Sequence, residues 1–83
     1  KILYNAIGSE IRKRREALGK GFNVFCYEND IPTSTMDYIE KARRASYFHS
    51  VLKIIDALDL SYNDFIILLK QELPKDFTFK VVD

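Results

Sequence analysis

Residues 22–40 read FNVFCYENDIPTSTMDYIE, and this stretch decides the fold. Phe25, Cys26, Ile31, Met36 and Ile39 fall at spacings that let two short helices, about 22–29 and 33–41, pack on each other. Between them stands Asn29-Asp30-Ile31-Pro32. Asn and Asp tolerate a left-handed backbone, and Pro cannot continue a helix whose N–H it lacks. Thr33-Ser34-Thr35 supplies side chains suited to capping the second helix. With Met36 and Ile39 turned inward, Thr33, Ser34, Asp37 and Tyr38 are expected to face out.

Working outward, Leu3, Tyr4, Ile7, Ile11 and Leu18 mark an apolar face on a helix over about 2–18, closed by Gly19 in a left-handed position. Arg12-Lys13-Arg14-Arg15 lies inside it. Consecutive helical residues point in all directions, so at least one of these four must turn toward the core. After the basic connection 41–46, Val51, Leu52, Ile54, Ile55 and Leu58 define a helix over about 48–58. Ser61, with Asp64 three residues on, is a capping signal for a last helix over 62–72. Its Phe65, Ile66, Leu68 and Leu69 exceed what one small core usually takes from a terminal helix, which points to a partner subunit. Pro74 stops the helical pattern, and residues 77–82 then alternate like a strand. The expectation is an all-α domain of five helices over 1–72, followed by an extended tail over 73–83, for which a dimer contact is favoured over a cover on the helices or the start of a longer protein.

Composition narrows the function classes. The chain has 83 residues, 47% hydrophobic and 30% charged, which suits one globular domain rather than a disordered segment. The net charge is +1, but its distribution is uneven: residues 1–20 balance at +4, residues 21–45 at −1 and residues 46–83 at −2. A local basic face matters more to a phosphate backbone than the total. One Cys and one His cannot build a zinc site, and one Cys cannot form an internal disulfide, which fits a reducing cytoplasm. Cys26 reads as a small residue where two helices cross. No apolar run approaches a membrane span. No metal-ligand cluster, Gly-rich phosphate loop or nucleophile–base pattern is present, so no enzyme and no cofactor is expected.

Two short helices about a tight turn suggest a helix-turn-helix, the unit that sets its second helix in the DNA major groove. Residues 7–65, about seven-tenths of the chain, resemble the phage-repressor and Cro (XRE-type) helix-turn-helix family. Ile11-Arg12-Lys13-Arg14-Arg15-Glu16 is similar to that family's Ile-Arg-Lys-x-Arg-Glu, and Ile39-Glu40 to the Ile-Glu that closes its recognition helix. Cys26 stands at its small helix 2 position, and Ile31 and Met36 at its apolar anchors. The run from Leu52 to Ser61, LKIIDALDLS, resembles its helix 4, Leu-x-x-Ile-Ala-x-Ala-Leu-Gly-Val-Ser. The resemblance implies an ion pair between Arg15 and Glu40. Departures are Phe22 where the family has a phosphate-reaching Gln or Thr, and Asp30 and Ala42 where it has Gly.

The resemblance implies a sequence-specific transcriptional regulator that binds double-stranded DNA as a homodimer. Thr33, Ser34, Asp37 and Tyr38 are then the expected base contacts. Arg12, Lys13, Arg14, Lys41, Arg43 and Arg44 are the expected phosphate contacts. The outward helix face carries none of the Arg, Lys, Asn or Gln that make bidentate base contacts. A second reading therefore stands beside the first: an interaction module of the same fold that binds DNA weakly or through a partner.

Overall fold

The computed structural model describes residues 2–44 and 48–78. Five helices account for the regular structure among them: α1 (Ile2–Ala17), α2 (Phe22–Glu28), α3 (Thr33–Glu40), α4 (Phe48–Ala57) and α5 (Tyr62–Glu72). The all-α expectation stands in this form. The expected strand falls mainly on residues outside those described. Phe77 and Thr78, which are described, are not in a strand, and the Phe77 N–H turns back to the Pro74 carbonyl at 3.0 Å.

One device ends each of the first four helices. The second residue past the helix takes a left-handed backbone, and the next N–H reaches back to a carbonyl in the last turn. Gly19, Asp30, Ala42 and Asp59 hold φ values of 72°, 55°, 52° and 60°. The closing bonds run from Lys20 N to Arg15 O, Ile31 N to Cys26 O, Arg43 N to Tyr38 O and Leu60 N to Ile55 O. Gly tolerates this backbone at no steric cost and Asp at little, whereas Ala has no side-chain compensation. The helix starts are less uniform. Ser61 caps α5 by accepting from the Asp64 N–H at 3.0 Å, as its position predicts. At α3 the capping residue is Pro32, and no side chain caps the helix, contrary to the role expected of Thr33-Ser34-Thr35. Pro presets the backbone angle at the helix entry.

The core gathers Ile11 from α1, Phe25 and Cys26 from α2, Ile31 from the turn, Met36 and Ile39 from α3, Val51, Ile54 and Ile55 from α4, and Phe65 and Leu69 from α5. Helix α1 lies against both α3 and α5. Its approach to α3 depends on Gly8. A Cβ there would stand 2.7 Å from the Glu40 carbonyl oxygen and closer still to that of Ile39. Leu18, expected on the inner face of the first helix, is instead half-exposed, because α1 stops at Ala17 and the chain turns away.

The α1–α5 contact buries a carboxyl group. Glu10 is 4% exposed and lies with Lys13 against Glu72, to which Lys13 donates a hydrogen bond. Burial pushes the Glu10 carboxyl up, Lys13 pulls it down, and Glu72 adds to the rise. A carboxyl raised in the folded state holds its proton more tightly there than in the unfolded chain. Its contribution to stability is complete below the ordinary carboxylate value and is lost as pH rises through the folded one.

Two substitutions test these readings. Ala42→Gly should stabilise the domain by about 0.5–1 kcal/mol, read as a Tm rise of several degrees, because relief of the left-handed strain exceeds the added freedom of the unfolded chain. Glu10→Gln should raise Tm at neutral pH. Melting curves across pH should show that advantage growing as pH rises through the window between the ordinary and the raised carboxylate values, and vanishing below it.

Candidate nucleic-acid interface

The candidate surface is built where α1, α2 and α3 converge. Arg15 is the member of the basic run that turns inward. Its Nε donates to Glu40 at 2.8 Å and its second guanidinium nitrogen to the same carboxylate at 3.1 Å. A third bond goes to the Lys20 carbonyl at 2.9 Å. The two side chains are 9% and 6% exposed. The hydrogen bond to Glu40 holds the Arg15 guanidinium above its already high value despite burial. Phe22, at the start of α2, lies under the same guanidinium, 5.6 Å from ring centroid to charge. Phe22 therefore closes over the pair as part of the scaffold.

Beside this pair opens a cleft of about 260 Å3, lined by Arg12, Arg15, Phe22, Asp37, Glu40 and Lys41. The lining mixes both signs of charge. Its rim is set by Asp37, which binds Lys41 through one carboxylate oxygen at 3.0 Å and Arg43 through the other at 3.2 Å. The Lys41 and Arg43 cations hold its carboxyl below the usual range, Lys41 contributing most.

The expected base-reading residues divide. Thr33 and Ser34 are exposed on the first turn of α3. Asp37 is partly exposed and engaged as described. Tyr38 does not face out. It is 8% exposed and belongs to the core, with the Arg44 guanidinium stacked 4.1 Å from its ring centroid. The reason lies in the helix ending: at α3's last turn the chain folds back through Ala42, and Arg44 covers the ring that the spacing had placed in solvent.

The expected phosphate contacts are also largely occupied. Arg12 pairs with Glu16 at 3.2 Å one turn along α1. Lys13 faces α5 and Glu72 instead of α3. Arg14 is half-buried. Lys41 and Arg43 hold Asp37, and Arg44 is exposed over Tyr38. Such exposed pairs are weak and exchange readily for stronger anions. Arg12 and Lys41 thus share the cleft with Asp37, which also holds Arg43, whereas Lys13 is directed to α5.

A further cation, from α4, reaches the turn between α2 and α3. Lys53 of α4 donates to the Asp30 carbonyl at 2.7 Å and so pins the turn between α2 and α3. The signal was present in the left-handed turn, which leaves carbonyls seeking donors, but which lysine would reach it depends on how α4 crosses. Lys53 also borders a smaller hollow of about 150 Å3 with Pro32, Thr35 and His49 at the start of α3.

Among the described residues, no group of three or more His, Cys, Asp or Glu is placed to hold a metal ion, and no helix is long and apolar enough to cross a membrane. No known protein family, curated protein or solved structure matches this chain.

The buried pair gives a direct test. Glu40→Ala leaves the Arg15 charge enclosed without its partner, a defect of about 3–5 kcal/mol. Against a total stability of about 5–15 kcal/mol for a small domain, urea melts should show a midpoint well below that of the parent chain.

Proposed function

We propose that this chain is a helix-turn-helix domain that binds double-stranded DNA, with α3 directed at the major groove and a regulatory role at a specific site. The observation that carries this reading is the enclosed Arg15–Glu40 pair, which fixes α3 against α1 while leaving Thr33 and Ser34 exposed at its start. Rigid placement of a short polar helix end is what base-edge contact requires. Thr33 and Ser34 offer single hydrogen bonds or methyl contact with thymine rather than bidentate contacts. Arg12, Lys41, Arg43, Arg44 and Lys53 supply charge for flanking phosphates, a role shared by DNA binders in general. Tyr38 is assigned to packing and Lys13 to the α1–α5 contact.

A homodimer would let two such helices meet half-sites about 34 Å apart. Helix α5 offers a face for it, since Tyr62, Ile66 and Ile67 are each roughly half exposed. The tail's part in this contact lies outside the described residues.

A second reading has its own observation. The outer face of α2 presents Val24, 52% exposed, and Tyr27, 89% exposed, while Lys41 and Arg43 are already paired with Asp37. That suits a helical module for a protein partner, with DNA contact secondary.

Selection from random duplex DNA at two salt concentrations separates the readings. The DNA reading expects one recovered sequence, bound with a log–log salt slope that falls by ~0.9 for each phosphate contact removed. Arg43→Ala with Arg44→Ala should weaken binding to all sequences alike, whereas Thr33→Ala with Ser34→Ala should relax sequence choice with the slope unchanged. A pool with no enriched sequence favours the protein-binding module.

A further inference from the structure

Asp37 is an unusual neighbour for a surface meant to meet phosphates. It is the acidic residue on the partly exposed side of α3, and each of its carboxylate oxygens holds a separate cation, Lys41 and Arg43. Both cations come from the segment that leaves α3, and the left-handed turn at Ala42 is what brings Arg43 back beside Asp37. The side chains involved remain substantially exposed, Lys41 and Arg43 at 59% and 61% and Asp37 at 37%. The clasp is therefore formed but open to competition from a phosphate oxygen.

We propose, resting on the DNA reading above, that Asp37 is a specificity-determining residue that acts as an internal competitor for the nucleic-acid backbone, holding Lys41 and Arg43 so that sequence-independent binding is weakened. Backbone binding scales with the number of cations free to displace counterions. Two cations held by one carboxylate contribute little to that count until the carboxylate is displaced. When they are drawn onto phosphates, Asp37 is left close to those phosphates, and the repulsion lowers the gain further. At a matched site the carboxylate can accept from a cytosine amino group, which offsets that repulsion. At a random sequence nothing offsets it. Asp37 thereby widens the ratio between specific and non-specific affinity by lowering the second.

Lys41 and Arg43 at the end of α3 are neutralised locally while Asp37 holds them. The positive charge is present but conditional. Release depends on an anion that competes with Asp37 for both cations together, which an extended polyanion does better than a monovalent ion.

The test is Asp37→Asn, which keeps the side-chain volume and removes the charge. Salt-gradient elution from heparin, a polyanion without base edges, is measured together with binding to a random-sequence duplex at two salt concentrations. The Asp37→Asn chain should elute at higher salt than the parent and bind random duplex about 10-fold tighter, with a salt slope steeper by up to ~1.8, the value for two released cations. Equal elution from heparin for both chains overturns the competitor role, whatever either does with DNA. Later elution of the variant, with no sequence enriched by the parent chain, retains the clasp and removes the DNA reading. A double-mutant cycle isolates the cause. In a chain also carrying Lys41→Gln and Arg43→Gln, Asp37→Asn should change heparin elution little. A gain as large as in the parent background would assign the effect to net charge and overturn the clasp. Unchanged helical circular dichroism in each variant confirms that folded chains are compared.

Discussion

Where α1 crosses α3, the backbones come close enough that Gly8 has no room for a side chain against the carbonyls of Ile39 and Glu40. Two turns along α1, Arg15 fills the space that opens beyond this crossing and binds the Glu40 carboxylate twice. The contacts are coupled, since both involve the end of α3. A wider approach at residue 8 would draw the guanidinium from its carboxylate, and loss of the pair would leave an enclosed charge that the close approach cannot hydrate. The orientation of α3, and with it every residue of the candidate interface, depends on this crossing. Phe22 and the Lys20 carbonyl complete the enclosure from the α2 side, so three helices share one constraint.

The surface that results is unusual in how its charges are spent. Arg12 answers Glu16, and Lys41 and Arg43 answer Asp37, while Lys13, turned to α5, answers Glu72. Short-range pairing neutralises much of the field that the basic first segment would otherwise project. Electrostatic attraction over long distances is correspondingly modest, and a partner must come near enough to exchange one anion for another. Such a surface suits recognition after encounter better than rapid capture from a distance.

Much of this was legible in the residues. Phe25, Cys26, Ile31, Met36 and Ile39 are all buried, because two short helices about a fixed turn leave few ways to hide their apolar positions. The inward turn of one residue from the run Arg12–Arg15 followed from helical geometry alone, and its identity as Arg15 came with the resemblance. Local rules also placed the Ser61 cap and the left-handed Gly19. What stayed hidden depended on how distant elements meet. Gly8 carries no side-chain signal, so its contact with α3 shows only once the crossing exists. Glu10 looks like any surface acid until α5 brings Glu72 over it. Tyr38 was placed in solvent by spacing, and the return of the chain through Ala42 buried it under Arg44. The link between Asp37 and Lys41 was readable from its four-residue spacing, whereas the second link to Arg43 required the left-handed turn.

Cys26 lies at the seam of α2 with the rest of the core, 2% exposed, and burial pushes its thiol up and away from the reactive thiolate. With one cysteine in the chain there is no competing thiol. Its chemistry is silent while α2 stays docked and becomes available when the seam parts. This buried core residue is thus also a natural stopwatch for the parting of α2 from the core. The rate at which an alkylating reagent consumes it under mild conditions measures how often the α2–turn–α3 unit opens, without any foreign label.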